Sequence, residues 1–117
     1  MSGIKTFSNE TSERYALALF ELASENLEVE FIEKNILFLQ ETYKNNIDFI
    51  NFIKNPTYKQ DVQSKIFTEI SKIMNFNKTL DNFLQLIINK RRIYFLDRIL
   101  EKFVKLSSKR KGKIEEI

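Results

Sequence analysis

The stretch RYALALFELASEN, Arg14 to Asn26, carries more apolar side chains than a helix with one buried face requires. At about 100° per residue, these side chains form two adjacent faces that together cover about 200° of the helix. The first face consists of Ala16, Phe20 and Ala23, and the second of Tyr15, Ala18, Leu19 and Leu22. Acidic and polar residues follow at once, so the stretch is too short to span a membrane. It predicts a helix that packs on two sides.

The composition indicates one globular domain without the usual catalytic groups. The 117 residues are 43% hydrophobic and include 11 Phe, which excludes a disordered chain. The absence of Cys and His excludes disulfides, thiolate metal sites and the commonest general base. We therefore expect a non-catalytic protein with no cofactor and no bound metal. The net charge of +3 is too small to indicate nucleic-acid binding by itself.

Two Gly and one Pro favour long helices and short turns, and β-hairpin signals are absent, so we predict an all-α fold, a compact bundle of about six helices. In NPTYKQ, Thr57 stands three residues before Gln60, which predicts a capping box at the start of the fourth helix. The buried stripe predicted for that helix is Val62, Ile66, Ile70 and Ile73. The predicted helices run from about Thr11 to Glu25, from Glu28 to a break at Asn45-Asn46, from Ile47 to Lys54, from the capping box to Met74, from Thr79 to Lys90, and from Ile93 to Lys111 with Gly112 as C-cap.

The fifth predicted helix has the same apolar excess as the first. Its core face is Leu80, Leu84, Ile87 and Ile88. Phe83 and Leu86 extend the apolar arc to about 200°, and Lys90 follows on that edge. Two interpretations are open from the pattern alone. Either both helices are central and buried on most sides, or their surplus faces lie side by side and form an exposed groove for an amphipathic helix.

The same segments resemble a known family, the delta subunit of F-type ATP synthases, called oligomycin-sensitivity-conferring protein in mitochondria. RYALALFELA resembles the family's opening helix, and FIKNPTYKQ its Asn-Pro element before the fourth helix. NFLQLIINKRRIYFLDRILEKF, which includes Arg92, resembles its fifth and sixth helices, and KRKGKIEEI its exit toward a second domain. The resemblance covers nearly the whole chain.

The resemblance implies a helical N-terminal domain at residues 1–111, with residues 112–117 starting a linker to a C-terminal domain outside this sequence. It implies a stator adaptor that supports proton-driven ATP synthesis and binds the amphipathic N-terminal helix of an alpha subunit between helices one and five. By position, the groove residues would be Tyr15, Ala18, Leu19, Leu22, Phe83, Leu86 and Lys90. The peripheral-stalk b subunit would bind mainly through the C-terminal domain.

We also expect the isolated domain to be a monomer on the cytoplasmic face of a bacterial plasma membrane, associated with the membrane only through the complex. The N-terminus resembles neither a signal peptide nor an Arg-rich presequence. Two alternatives remain at this point, an unrelated helical interaction domain and a weakly basic bundle that binds nucleic acid. The second depends on the basic stretch KLSSKRKGK, residues 105–113, for which a solvated helix end is the simpler explanation. We expect no nucleic-acid partner.

Overall fold

The computed structural model describes the backbone of residues 2–115 and the side chains of residues 9–110, and within those ranges the fold is all-α, as predicted. Six α-helices and one short 3-10 helix follow each other without a strand in the described part of the chain. The helices are α1 (Ser2–Glu25), α2 (Val29–Asn45), α3 (Ile47–Lys54), α4 (Gln60–Met74), α5 (Lys78–Asn89) and α6 (Leu96–Glu115), and the 3-10 turn Ile93–Phe95 precedes α6.

The core lies between α1, α2, α5 and α6, and α3 and α4 cover one side of it. Helix α1 packs along α6, where the rings of Phe20 and Phe103 meet edge to face with centroids 5.8 Å apart. Phe67 brings α4 to α3 through Phe49, with ring centroids 6.0 Å apart. The fully buried positions include Ala16, Leu19, Ala23, Ile32, Ile36, Leu39, Phe67, Leu80, Leu84, Ile87, Leu96, Ile99 and Phe103.

The predicted start of α1 is wrong by nine residues, because the helix begins at Ser2 rather than near Thr11. Thr11 and Ser12 have side chains that can cap a helix, yet they lie inside α1 and are 2% and 0% exposed. Ser and Thr cap a helix only where the backbone before them is not helical. The residues before Thr11 contain no proline, so nothing in the sequence forces the helix to begin there.

The Asn-Pro turn lies where it was predicted, but its hydrogen bonds differ from a capping box. Lys59 is the N-cap of α4 and makes no side-chain cap. Thr57 instead bonds backward, because its amide and its hydroxyl both donate to Oδ1 of Asn55, at 2.9 and 2.6 Å. Gln60 donates through Nε2 to the carbonyl of Asn89 at the end of α5, at 2.8 Å. The segment therefore closes a turn and ties α4 to α5.

Helix α4 is rotated relative to the prediction, so its aliphatic stripe faces outward. Ile73 is 81% exposed, and Val62 and Ile66 also belong to the surface, while Ile70 is partly buried. The buried face is Gln63, Phe67 and Ser71. Phe67 fills the core, and polar side chains of α4 bond to α5. One aromatic ring and a set of hydrogen bonds fix the orientation that the aliphatic periodicity did not predict.

Gly112 does not end α6, contrary to the prediction, because the helix continues to Glu115. The lower helix propensity of a single glycine, about 1 kcal/mol, does not stop a helix of this length. The predicted boundary between residues 111 and 112 therefore falls within a continuous helix. The existence of a linker and a second domain after it stays a prediction.

Three helices end on a residue in the left-handed region that is not glycine. Leu27 follows α1 with φ 57°, Asn75 follows α4 with φ 54°, and Arg91 follows α5 with φ 59°. The next residue in each case donates its amide back across five positions, as in a Schellman motif. These bonds join Glu28 to Ala23 at 2.8 Å, Phe76 to Ser71 at 2.9 Å, and Arg92 to Ile87 at 2.8 Å.

Candidate partner-binding groove

Helices α1 and α5 lie side by side and bring together most of the predicted groove residues. The ring of Tyr15 on α1 meets the ring of Phe83 on α5 edge to face, with centroids 6.3 Å apart. Leu22, two turns along α1 from Tyr15, and Leu86, one turn along α5 from Phe83, are 43% and 45% exposed and lie near the same faces of their helices. We call this surface the α1/α5 groove, and it consists of Tyr15, Ala18, Leu22, Phe83, Leu86 and Lys90.

The groove residues differ in their depth. Phe83 is 6% exposed and forms the floor, with the half-buried Tyr15 beside it. Ala18 and Lys90 are exposed along with the two leucines. The small side chain of Ala18 leaves room for a partner backbone to approach α1 closely. The arrangement has an aromatic floor and aliphatic rims. That a partner binds there stays a prediction.

Leu19 does not belong to the groove surface, and this part of the prediction is wrong. It is 0% exposed and packs in the core with Ala16 and Ala23. The helical wheel explains the error, because Leu19 lies within about 60° of both alanines and sits nearer to them than to Ala18. Phe20, on the same predicted face as Ala16 and Ala23, is only partly buried, and its ring contacts Phe103 of α6.

A carboxylate in the turn after α1 positions the start of α5. Glu28 accepts hydrogen bonds from Nδ2 of Asn77 at 2.6 Å and from the hydroxyl of Thr79 at 2.7 Å. These two bonds lower the pKa of the Glu28 carboxyl, and the Asn77 bond contributes most. Asn77 in turn caps α5 by accepting the amide of Thr79 at 2.7 Å. The two walls of the groove are thus joined at one end by side-chain hydrogen bonds.

Helix α4 holds the side of α5 that faces away from the groove. The amide of Gln85 donates to the carbonyl of Ser64 and to the hydroxyl of Thr68, both at 3.2 Å. The hydroxyl of Ser71 donates to Asp81 at 2.8 Å. These bonds occupy the polar side of α5, and Phe83 and Leu86 lie on a different side of the helix.

A cavity of about 310 Å³ lies beside α1 at the same side chains. It is lined by Tyr15 and Ala18 of the groove and by Thr11, Arg14 and Arg92, which the sequence-based site did not include. The sequence contains a signal for Thr11, because Thr11, Tyr15, Ala18 and Leu22 follow each other at spacings of four, three and four residues and so lie on one face of a helix. Arg14 gives this part of the groove a positive charge.

The described residues include no cluster of candidate metal ligands. Within residues 9–110, no three His, Cys, Asp or Glu side chains come together as candidate metal ligands. None of the helices in the described part of the chain is both long and apolar enough to cross a bilayer. The geometry of the groove, an apolar trough with cations near it, is suited to binding an amphipathic helix.

Comparison with known proteins identifies relatives along almost the whole chain. Residues 11–116 match the family model described as ATP synthase delta (OSCP) subunit. "ATP synthase subunit delta" of Pelagibacter ubique (strain HTCC1062) is 35% identical over 115 residues, which are 98% of this chain and 62% of the relative. The protein of the same name from Clostridium botulinum (strain Kyoto / Type A2) is 36% identical over 93 residues, 80% of this chain and 51% of the relative.

A solved structure supports the fold. One chain of the cryo-EM structure of the Toxoplasma gondii mitochondrial ATP synthase hexamer superposes with a TM-score of 0.75, over 79% of this chain and 51% of that chain. At 21% identity this similarity establishes the fold alone. The chain spans 62% and 51% of the lengths of the two curated relatives described above.

Proposed function

The chain belongs to the ATP synthase delta (OSCP) subunit family, and from this premise we propose that it is a stator adaptor that binds the amphipathic N-terminal helix of an alpha subunit in the α1/α5 groove. The role is mechanical and non-catalytic. A stator holds the catalytic head against torque, so it needs a contact that dissociates slowly. Affinity differences between related complexes reside mostly in the dissociation rate, and a well-packed apolar contact lowers that rate.

The observation that carries this proposal is the pair of half-exposed leucines on either side of a buried aromatic floor. Leu22 and Leu86 are 43% and 45% exposed and lie on the two helices that Tyr15 and Phe83 join. Full burial of a leucine contributes about 1.5–3 kcal/mol, so covering the exposed part of each is worth about 1 kcal/mol. A helix that inserts apolar side chains at a spacing of three and four residues would cover both.

The wider setting follows from the same family membership. In this proposal the domain sits on the catalytic head at the cytoplasmic face of a bacterial plasma membrane and supports proton-driven ATP synthesis. The peripheral-stalk b subunit would bind mainly through a C-terminal domain beyond residue 117. The domain itself would touch the alpha subunit and no lipid, and it would be a monomer in isolation.

The test is an NMR titration of the ¹⁵N-labelled chain with a synthetic peptide of an alpha subunit's N-terminal residues. We expect the largest amide shifts at Tyr15, Ala18, Leu22 and Leu86, with saturation at a single site. A scrambled peptide of the same composition is the control and should give no saturable shifts. The proposal fails if the alpha peptide does not bind, or if its shifts map to the outward stripe of α4 instead.

A further inference from the structure

Helix α1 has a second exposed leucine that the α1/α5 groove does not use. Leu17 is 46% exposed and lies about 140° around the helix from Leu22, on the other side of the buried Ala16 and Leu19. It lines a cavity of about 530 Å³ against the middle of α6, where the partly buried Leu106 also belongs to the lining. We call this surface the α1/α6 groove.

The rim of the α1/α6 groove is positively charged. Among the described side chains, Lys102, Lys105 and Lys109 line it together with Glu13, and Glu101 stands at its edge, 3.6 Å from Nζ of Lys105, so three lysines against two glutamates leave a net charge of +1. Lys102 reaches across the groove to Glu13, with Nζ 3.4 Å from the carboxylate oxygen. This ion pair joins α1 to α6 and holds the stem of Lys102, whose side chain is 24% exposed, over the apolar lining.

We infer that the α1/α6 groove is a second docking surface, whose partner is an acidic amphipathic helix. Its apolar side chains would cover Leu17 and Leu106, and carboxylates on its flanks would face Lys105 and Lys109. The groove lies between two packed helices, so a third helix can lie along it with its ridge of side chains in the trough. The cavity volume is enough for a few aliphatic side chains, as in other apolar sites.

Charge complementarity selects this occupant over two others. A second copy of the chain, docked on the same surface by a two-fold axis, would bring two rims of like charge, +1 each among the described side chains, together, which is repulsive. A nucleic acid would pair with the lysines but would leave Leu17 and Leu106 without an apolar partner. The described side chains that line the groove include no aromatic ring on which a base could stack.

The test uses a synthetic peptide of about 18 residues, five turns of helix, with leucine at a spacing of three and four residues and glutamate elsewhere. The matched control replaces every glutamate with lysine. We expect the acidic peptide to shift the amides of Leu17, Lys102 and Leu106 and to bind more weakly as salt is added. We expect no saturable shifts from the basic peptide.

Variants separate this surface from the α1/α5 groove. The double variant Lys105→Glu with Lys109→Glu should bind the acidic peptide about tenfold more weakly at low ionic strength, since two attractive contacts become repulsive. Leu86→Asp, in the other groove, should bind it with unchanged affinity. The inference is overturned if the lysine variant binds as tightly as the wild type, or if the shifts map to Leu22 and Leu86.

Two further probes address other classes of ligand. Vesicles of phosphatidylglycerol and phosphatidylcholine, and a DNA duplex of about 20 base pairs, present negative charge without an amphipathic helix. The inference predicts that both bind the chain more weakly than the acidic peptide does. Tighter binding of either probe, lost in the double lysine variant, would overturn it and assign the basic rim to lipid or to nucleic acid.

Discussion

Replacement of Leu86 by aspartate is the sharpest perturbation of the α1/α5 groove. Leu86 is 45% exposed, so covering it is worth about 1 kcal/mol to a bound helix. Aspartate loses that gain and places a carboxylate in an apolar contact, which costs about 1–3 kcal/mol more. Lys90, one turn further along α5, offsets part of this cost, so we expect a loss of about 2–3 kcal/mol. The dissociation constant of the alpha-subunit peptide should rise about 30- to 150-fold.

Isothermal titration calorimetry measures the effect, and circular dichroism establishes that the variant is folded. Leu17→Asp is the matched control because Leu17 is 46% exposed, also lies in a helix, and carries the same change in helix propensity on the other side of α1. We expect this control to bind the alpha peptide within about twofold of the wild type, a difference of about 0.4 kcal/mol. If a folded Leu86→Asp variant bound with wild-type affinity, α5 would not be a wall of the binding site.

Three further predictions concern the fold. Leu19→Ala should lower the free energy of unfolding by about 2–5 kcal/mol because it leaves a cavity in the core. Leu22→Ala should lower it by less than about 1 kcal/mol because Leu22 is half-exposed. Equal losses in urea unfolding would contradict the placement of Leu19 in the core. Phe67→Ala should cost about 3–5 kcal/mol and Ile73→Ser less than about 0.5 kcal/mol, and the reverse order would mean that α4 is turned the other way. Glu28→Ala should lower the urea midpoint at neutral pH. Folding lowers the Glu28 pKa from its ordinary value of 4.5, so the stabilisation by Glu28 is present above that pH and disappears as the pH falls through the pKa of the folded state. The urea midpoints of the wild type and the variant should therefore converge in acid. A difference that stays constant with pH would contradict the hydrogen-bonded carboxylate.

Features with a local cause were predictable from the sequence. The predicted bounds of α3 were correct because both ends have local signals. Asn46 caps the start, where its side chain accepts a hydrogen bond from the amide of Phe49 at 3.1 Å, and Asn55 precedes a proline at the end. The turn between α4 and α5 was also found, since its asparagines favour left-handed and capping conformations. These signals lie within a few residues of the feature they determine.

Features that depend on the packing of distant segments were not predictable in the same way. Helix α4 has a clear aliphatic stripe, yet Phe67 and the side-chain hydrogen bonds with α5 decide which side is buried. A helical wheel ranks the sides of one helix by hydrophobicity and holds no information about its neighbours.

The groove residues show the same limit. The wheel found an apolar excess on α1, but Leu19 in the core was assigned to the same face as Leu22 at the surface, although it lies closer to Ala23 than to Leu22. The wheel also assigned Leu17, which lies on the other side of the buried Ala16 and Leu19, to neither face. The structural role of Glu28 could not be predicted from its neighbours in sequence, because its hydrogen-bond partners lie about 50 residues further along the chain.

The non-glycine residues in the left-handed conformation at the helix ends are positions where substitution by glycine would stabilise the domain. Leu27, 91% exposed at φ 57°, and Arg91 at φ 59° hold a conformation that glycine would adopt at a cost lower by about 1 kcal/mol each. Together they amount to a noticeable fraction of the roughly 5–15 kcal/mol by which a domain is stable. Leu27 lies outside both grooves, so the thermal tolerance of this domain can be raised at a turn while its recognition surfaces stay as they are.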